Sequence, residues 1–273
     1  MKKKVSKKFV ERFSEFLSRK ENAHEYSIVD GLVFCKGDVM ITDEDLILGH
    51  LPFRFGEVDG DFDCTDCDSL TTLEGSPKEV GGDFYCSYCP SLTSLKGSPK
   101  EVGGDFYCFW CSSLTTLEGS PKKVGGDFKC FHCRRITSLF GSPKEVGGSF
   151  YCSDCDSLTT LEGCPKEVSG NFVCSYCPSL TSLKGSPKEV GGDFYCPWCP
   201  SLTSLEGSPK EVGGDFKCFH CDSLITLKGT TEKVGGKMDL SYCPKINSIV
   251  FLPEYLGGGF MISSDMNVDV DTD

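Results

Sequence analysis

A mainly β solenoid of about eleven coils, with an N-terminal α/β cap, is the fold class the sequence predicts. Three observations predict it. Cys-x-x-Cys recurs at positions 64, 86, 108, 130, 152, 174, 196 and 218, a fixed period of 22 residues. A period of this size marks stacked coils, none of which buries its apolar edge alone. Within a unit Phe84 and Cys86 alternate with outward neighbours, the period of a short strand with one buried face. Gly97-Ser98-Pro99 then supplies turn chemistry, since Gly reaches unusual backbone angles and Pro fixes its own.

At the N-terminus Phe9, Val10, Phe13, Phe16 and Leu17 fall on one stripe of an amphipathic helix, with Ser6 as its N-cap. Ile28 to Val33 reads as a hairpin because Asp30-Gly31 suits a tight turn. Residues 1–36 are therefore assigned to a cap covering the first coil. Lys2, Lys3, Lys4, Lys7 and Lys8 leave open a basic tether to nucleic acid or membrane. Gly37 to Ile41 is a degenerate first coil, one residue out of step.

The repeat domain is placed at residues 37–268. In each unit Phe84 and Cys86 point inward from the strand, and Cys89, Leu92 and Leu95 continue the inward set around the bend. An extended Pro-containing segment returns along the other face, and Val102 opens the next strand. The phase outlives the cysteines: steps of 22 from Phe84 reach Met238 and Phe260, with Leu240 and Cys243, then Ile262 and Asp265, at the inner positions. Residues 269–273 form an acidic tail.

The frame Phe-x-Cys-x-x-Cys-x-x-Leu-x-x-Leu resembles the leucine-rich repeat superfamily, most of all its short Cys-containing variants in bacterial and tailed-phage proteins. In that resemblance Phe84 and Cys86 stand for the two strand leucines, and Cys89 takes the Asn/Cys position whose side chain bonds to loop backbone. The next Leu comes three residues on, where the family has two. The resemblance implies a fold and names no ligand.

Composition points to a soluble cytoplasmic chain. No 7–15-residue apolar core follows the basic start, and no stretch is long enough to span a membrane. Nineteen cysteines in a long repetitive core fit reduced thiols better than the disulfide framework of a small secreted domain. The net charge of −12 argues against general nucleic-acid binding, although a negatively charged decoy for a nucleic-acid-binding protein stays open.

The Cys-x-x-Cys array has two readings. Neighbouring motifs have zinc-ribbon spacing, and four sites of four thiolates would make a zinc-binding solenoid. Against this, tetrahedral ligation needs thiolates ~3.8 Å apart, closer than unadjusted coil spacing gives. Leu240 and Ile262 also replace the first cysteine, and Asp265 the second. A buried hydrophobe followed by a hydrogen-bonder is what a core-and-loop pair requires. No metal or other cofactor is expected, and no thioredoxin-like pattern suggests redox chemistry.

Other columns are weighed in the same way. Glu74, Lys96, Glu118, Phe140, Glu162, Lys184, Glu206 and Lys228 read as a ladder of exposed charge pairs. The Asp61, Asp83, Asp105, Asp127, Asp193 and Asp215 column either bonds local backbone amides or forms an acidic strip for a basic partner. Between the cysteines the pairs run Thr-Asp, Ser-Tyr, Phe-Trp, Phe-His and then Ser-Asp, Ser-Tyr, Pro-Trp, Phe-His, a second period of 88 residues. Recent duplication alone could preserve it.

Outward positions beside the cysteines place Tyr107, Phe109, Trp110, Phe131 and His132 in one block, and Tyr195, Trp198, Phe219 and His220 in the next. Exposed aromatics mark binding surfaces, or they stack between coils. With Asp105, Asp127, Asp193 and Asp215 they are the candidate binding residues. Only His24, His50, His132 and His220 are present, with no nucleophile motif or phosphate loop, so no catalytic residue is assigned. The expected function is a non-enzymatic scaffold for another macromolecule, a protein above all, with the zinc solenoid as the alternative.

Overall fold

Proline sets the rhythm of each coil, because it lacks the N–H that a ladder needs and so fixes where pairing resumes. In the computed structural model, which describes residues 11, 13–16, 18, 19, 22 and 25–262, the segment after Pro121 immediately rejoins its neighbour. Lys122 N–H donates to Lys100 O at 2.8 Å, and the two-residue strand Lys123–Val124 pairs in parallel with Glu101–Val102. The return segment therefore carries its own strand, where the sequence suggests only extended chain. Val102 ends this back strand, and Phe106 opens the front one after the Gly103-Gly104 corner.

The result is a β-solenoid with two parallel faces. Among the described residues the front sheet has eleven strands, from Val39–Met40 to Phe260–Ile262, and every strand between those two pairs with the coils before and after it. Phe84 faces Phe106, and Phe216 faces Met238, so the 22-residue period is the pairing register itself. Val39 faces Phe62, one residue out of step as the sequence suggests. Met238 faces Phe260, which extends the stack beyond the last Cys-x-x-Cys. Ile262 is the last described residue there; Asp265 and the tail lie outside the described residues.

Between the faces runs one continuous core. Phe62, Phe84, Phe106, Phe128, Phe150, Phe172, Phe194 and Phe216 are fully buried, as are the Cys64, Cys67, Leu70 and Leu73 columns. The phenylalanines form a ladder of near-parallel rings, with Phe84 and Phe106 centroids 5.1 Å apart. Offset stacking of this kind adds roughly 0.5–1.5 kcal/mol per pair beyond burial.

The back face is divided. A seven-stranded sheet ends at Glu145–Val146, and a five-stranded sheet begins at Glu167–Val168. The break coincides with a change in a column of glycines. A Cβ on Gly125 would lie 2.1 Å from Gly103 O, and one on Gly147 2.2 Å from Gly125 O. Coils approach so closely at this corner that only a hydrogen fits. Ser169 occupies the same position in the next coil, and there the ladder stops.

The N-terminal edge is covered by packing and pairing. Residues 13–16 are helical, and Phe13 and Phe16 lie on Phe53 with centroids 4.9 and 5.3 Å away. Phe9, Val10, Leu17 and Ser6 fall outside the described residues. Glu25–Val29 and Leu32–Lys36 form the expected hairpin, turning through Asp30 and Gly31 at φ 51° and 80°. Leu32–Lys36 then pairs in parallel with Phe55–Val58, so the hairpin extends the back sheet and Glu25–Val29 becomes its outermost strand. Of the anticipated charge ladder, Lys96–Glu118, Lys184–Glu162 and Lys228–Glu206 meet at 3.2, 3.1 and 2.8 Å. All are exposed and screened by solvent, so they serve register more than stability.

Candidate functional site

The two cysteines of each motif have different tasks. Cys86, Cys108 and their equivalents point into the apolar interior, where burial pushes the thiols well above their ordinary range, although Cys64 and Cys130 also donate to the Tyr85 and Tyr151 carbonyls at 3.1 and 3.3 Å. Cys89, Cys111 and Cys133 turn instead toward the preceding coil. Their thiols donate to the carbonyls of Cys64, Cys86 and Cys108 at 3.3, 3.1 and 3.2 Å. The hydrogen-bonding assignment for the second column is thus visible in the geometry. All 19 cysteines are free thiols, and among the described residues no three His, Cys, Asp or Glu side chains converge to hold a metal ion.

Two expected results follow from this division. Cys111→Asn should be tolerated better than Cys108→Asn, because the second buries an amide among apolar side chains at about 1–3 kcal/mol. Thermal melting of the two variants checks it, and equal losses would refute the assignment. Protein purified from zinc- and iron-supplemented cells should carry well under one tightly bound metal per chain. About four zinc ions by elemental analysis, with unfolding by chelator, would reinstate the metal reading.

The aspartate column is tied into the backbone. Asp83 Oδ1 accepts the Asp105 N–H at 2.7 Å, Asp105 Oδ1 the Asp127 N–H at 2.8 Å, and Asp193 Oδ1 the Asp215 N–H at 2.8 Å. Asp127 and Asp215 bond the Ser149 and Lys237 amides in the same way. The second oxygens meet further donors: the Tyr85 hydroxyl donates to Asp83 at 2.8 Å, Lys129 Nζ lies 2.8 Å from Asp105 and 3.1 Å from Asp127, and Lys217 Nζ lies 2.8 Å from Asp215. The Lys217 ammonium, with the Lys237 N–H, holds the Asp215 carboxyl below the usual carboxylate range. Like charges on adjacent strands are thereby separated by shared donors.

The aromatic candidates gather on one edge of the front sheet. Tyr107, Phe109, Phe131, His132, Tyr195, Phe219 and His220 are half-buried, while Trp110 and Trp198 remain 41% and 39% exposed. They also stack. Phe109 lies on Phe131 at 4.5 Å, Trp110 on His132 at 4.0 Å, and Trp198 on His220 at 3.8 Å. Contact and stacking are therefore compatible readings, because stacked rings still present their edges to solvent.

The structure adds residues that the sequence reading passed over. Tyr88, Tyr176 and Tyr242 extend the same column, with Tyr88 beside Trp110 at 6.1 Å, Tyr176 beside Trp198 at 5.7 Å and Tyr242 on His220 at 4.4 Å. Asp154 separates the two runs of rings. Every member from Asp66 to Tyr242 has a left-handed backbone, with φ between 53° and 59°. Gly, Asn or Asp normally takes such angles, and a bulky ring there is uncommon. The adjacent Ser-Tyr pairs of the four-coil period were the available signal for the tyrosines. No composition cue marks the backbone angle.

One neighbour explains an orphan. Ser87 and Ser153 Oγ accept the N–H of Phe109 and Ser175 in the following coils, at 3.3 and 3.0 Å. Ser175 Oγ is buried without a partner, because the next coil offers Pro197, which has no N–H.

Comparison with protein-family models, with curated proteins and with solved structures finds no match for this chain. Among the described residues no helix is long and apolar enough to cross a membrane. What the fold and this edge define is a repeat solenoid scaffold.

Proposed function

We propose that this chain is a non-enzymatic, leucine-rich-repeat-like scaffold of a reducing cytoplasm that binds a protein partner through its aromatic column. One observation carries the reading. Rings fill left-handed positions that Asn or Gly would occupy with less strain, and they stay part-exposed along the front edge. Large exposed aromatics are concentrated at protein interfaces, where rigid rings bury much area at little entropic cost. The free, buried thiols fit a reducing compartment. Affinity capture from the native host's extract, followed by purification of the captured protein, provides the ligand. Trp110→Ala should weaken its binding by about tenfold or more while leaving the fold intact. Unchanged affinity for this variant and for Trp198→Ala would refute the assignment of the column.

A further inference from the structure

The second four-coil block carries a groove whose lining differs from the corresponding residues of its duplicate. One wall is the ring column of Tyr176, Trp198 and His220, and the other is Pro178 and Pro200. Asp154 and Asp156 close one end and Asp222 the other, around a volume of 370 Å3. In the first block Ser112 stands where Pro200 does, and Arg134 where Asp222 does. The groove thus combines apolar walls with carboxylates at both ends only in the second block.

We infer that this groove binds an extended peptide segment with proline or aliphatic residues in its middle and a basic residue at each end. The inference rests on the protein-binding reading above and names the chemistry of the partner. Four coils place the terminal carboxylates ~14 Å apart at ~4.8 Å per rung. A polyproline-type segment rises ~3.1 Å per residue, so two basic residues four positions apart stand ~12 Å apart along the backbone, and their long side chains cover the remainder. Grooves walled by aromatic rings suit such segments, which arrive already ordered.

Two contacts within the chain bear on the occupant. Arg134 Nε lies 3.5 Å from Asp156 Oδ2, so this end already receives one cationic side chain, and His132 Nε2 lies 3.7 Å from Asp154 Oδ2. A glycan is disfavoured because a sugar packs on a free ring face. Here Trp198 is stacked on both sides, with interplanar angles of 5° to Tyr176 and 14° to His220. With both faces covered, Trp198 offers its ring edge to the groove, which suits a peptide.

Calorimetry on the full chain tests the inference with the terminally blocked peptide Arg-Pro-Leu-Pro-Arg. Its Glu-Pro-Leu-Pro-Glu counterpart and a neutral oligosaccharide serve as the other probes. The arginine peptide should bind with salt-sensitive affinity, and the other two should not. Asp222→Asn and Trp198→Ala should each weaken it by about tenfold, and Arg134→Ala should strengthen it severalfold by removing an internal competitor. No binding of the arginine peptide, equal binding of the glutamate peptide, or binding of the oligosaccharide alone would overturn the inference. A captured partner that still depends on Trp110 and Trp198 after such a result would leave the scaffold reading standing and remove only the peptide chemistry.

Discussion

Gly125→Ala is expected to destabilise the solenoid by about 3 kcal/mol and to divide its back sheet a second time. The added methyl would fall 2.1 Å from Gly103 O, a backbone atom that cannot swing aside. Relief requires the coils to separate at that corner, which endangers the bond from Gly125 N–H to Val102 O, 2.9 Å long. A side chain already stands in this column at Ser169, and there the ladder between Glu145–Val146 and Glu167–Val168 is missing although the Gly170 N–H to Gly148 O bond beside it is kept. The reverse change, Ser169→Gly, should join the two back sheets. Regained ladder bonds of about 1 kcal/mol each outweigh a glycine entropy cost of roughly 0.5–1 kcal/mol. Denaturant melts of both variants check the pair, and a neutral Gly125→Ala would refute the close-approach argument.

Alkaline pH should unfold the protein far more steeply than it would a domain poor in cysteine. Burial pushes the Cys64, Cys86, Cys108, Cys130, Cys152 and Cys174 thiols well above their ordinary range, so the folded state keeps them protonated. Unfolding releases them to a pKa of about 8.5, above which the unfolded chain binds fewer protons than the folded one. The contribution is therefore fully present below about pH 8.5 and is lost as pH rises beyond it, by about 1.4 kcal/mol per thiol per pH unit. These six thiols alone remove about 8 kcal/mol per unit, comparable with the whole stability of an ordinary domain. Under anaerobic reducing conditions, circular dichroism should show cooperative loss of structure near pH 10. The thiolate absorbance should rise in that same transition. Thiolate formation near pH 8.5 with the fold intact would contradict the buried-thiol core.

How much of this was legible in the sequence depends on whether one coil contains the information. Phe84, Cys86, Cys89 and Leu92 sit in a single unit with a fixed period, and their burial follows from alternation. That Cys89 forms a hydrogen bond was readable because its equivalent at the end of the stack, Asp265, is polar; that its thiol donates to the Cys64 carbonyl was not. The interruption at Ser169 was not readable, because it depends on the distance between a Cβ and a carbonyl in the neighbouring coil. The left-handed column escaped because Tyr88, Trp110 and His132 are not residues that announce positive φ. Likewise the groove is assembled from positions two apart in sequence, Tyr176 with Pro178 and Trp198 with Pro200, joined only by stacking of the coils. The return strand at Glu101–Val102 was missed because two residues are too few to show a period.

The central claim is that the core columns hold this solenoid together while the aromatic column on its edge recognises a partner. It is tested most directly by measuring melting temperature and partner affinity on one set of variants, Trp110→Ala, Trp198→Ala and the double change. The coils stay paired through their backbone ladders without either ring, so the melting temperature should change little. Affinity for the captured partner should fall with each change and fall furthest in the double variant, most of all if the partner engages both blocks at once. Wild-type affinity accompanied by a collapsed melting temperature would contradict the claim and reduce the rings to glue between coils.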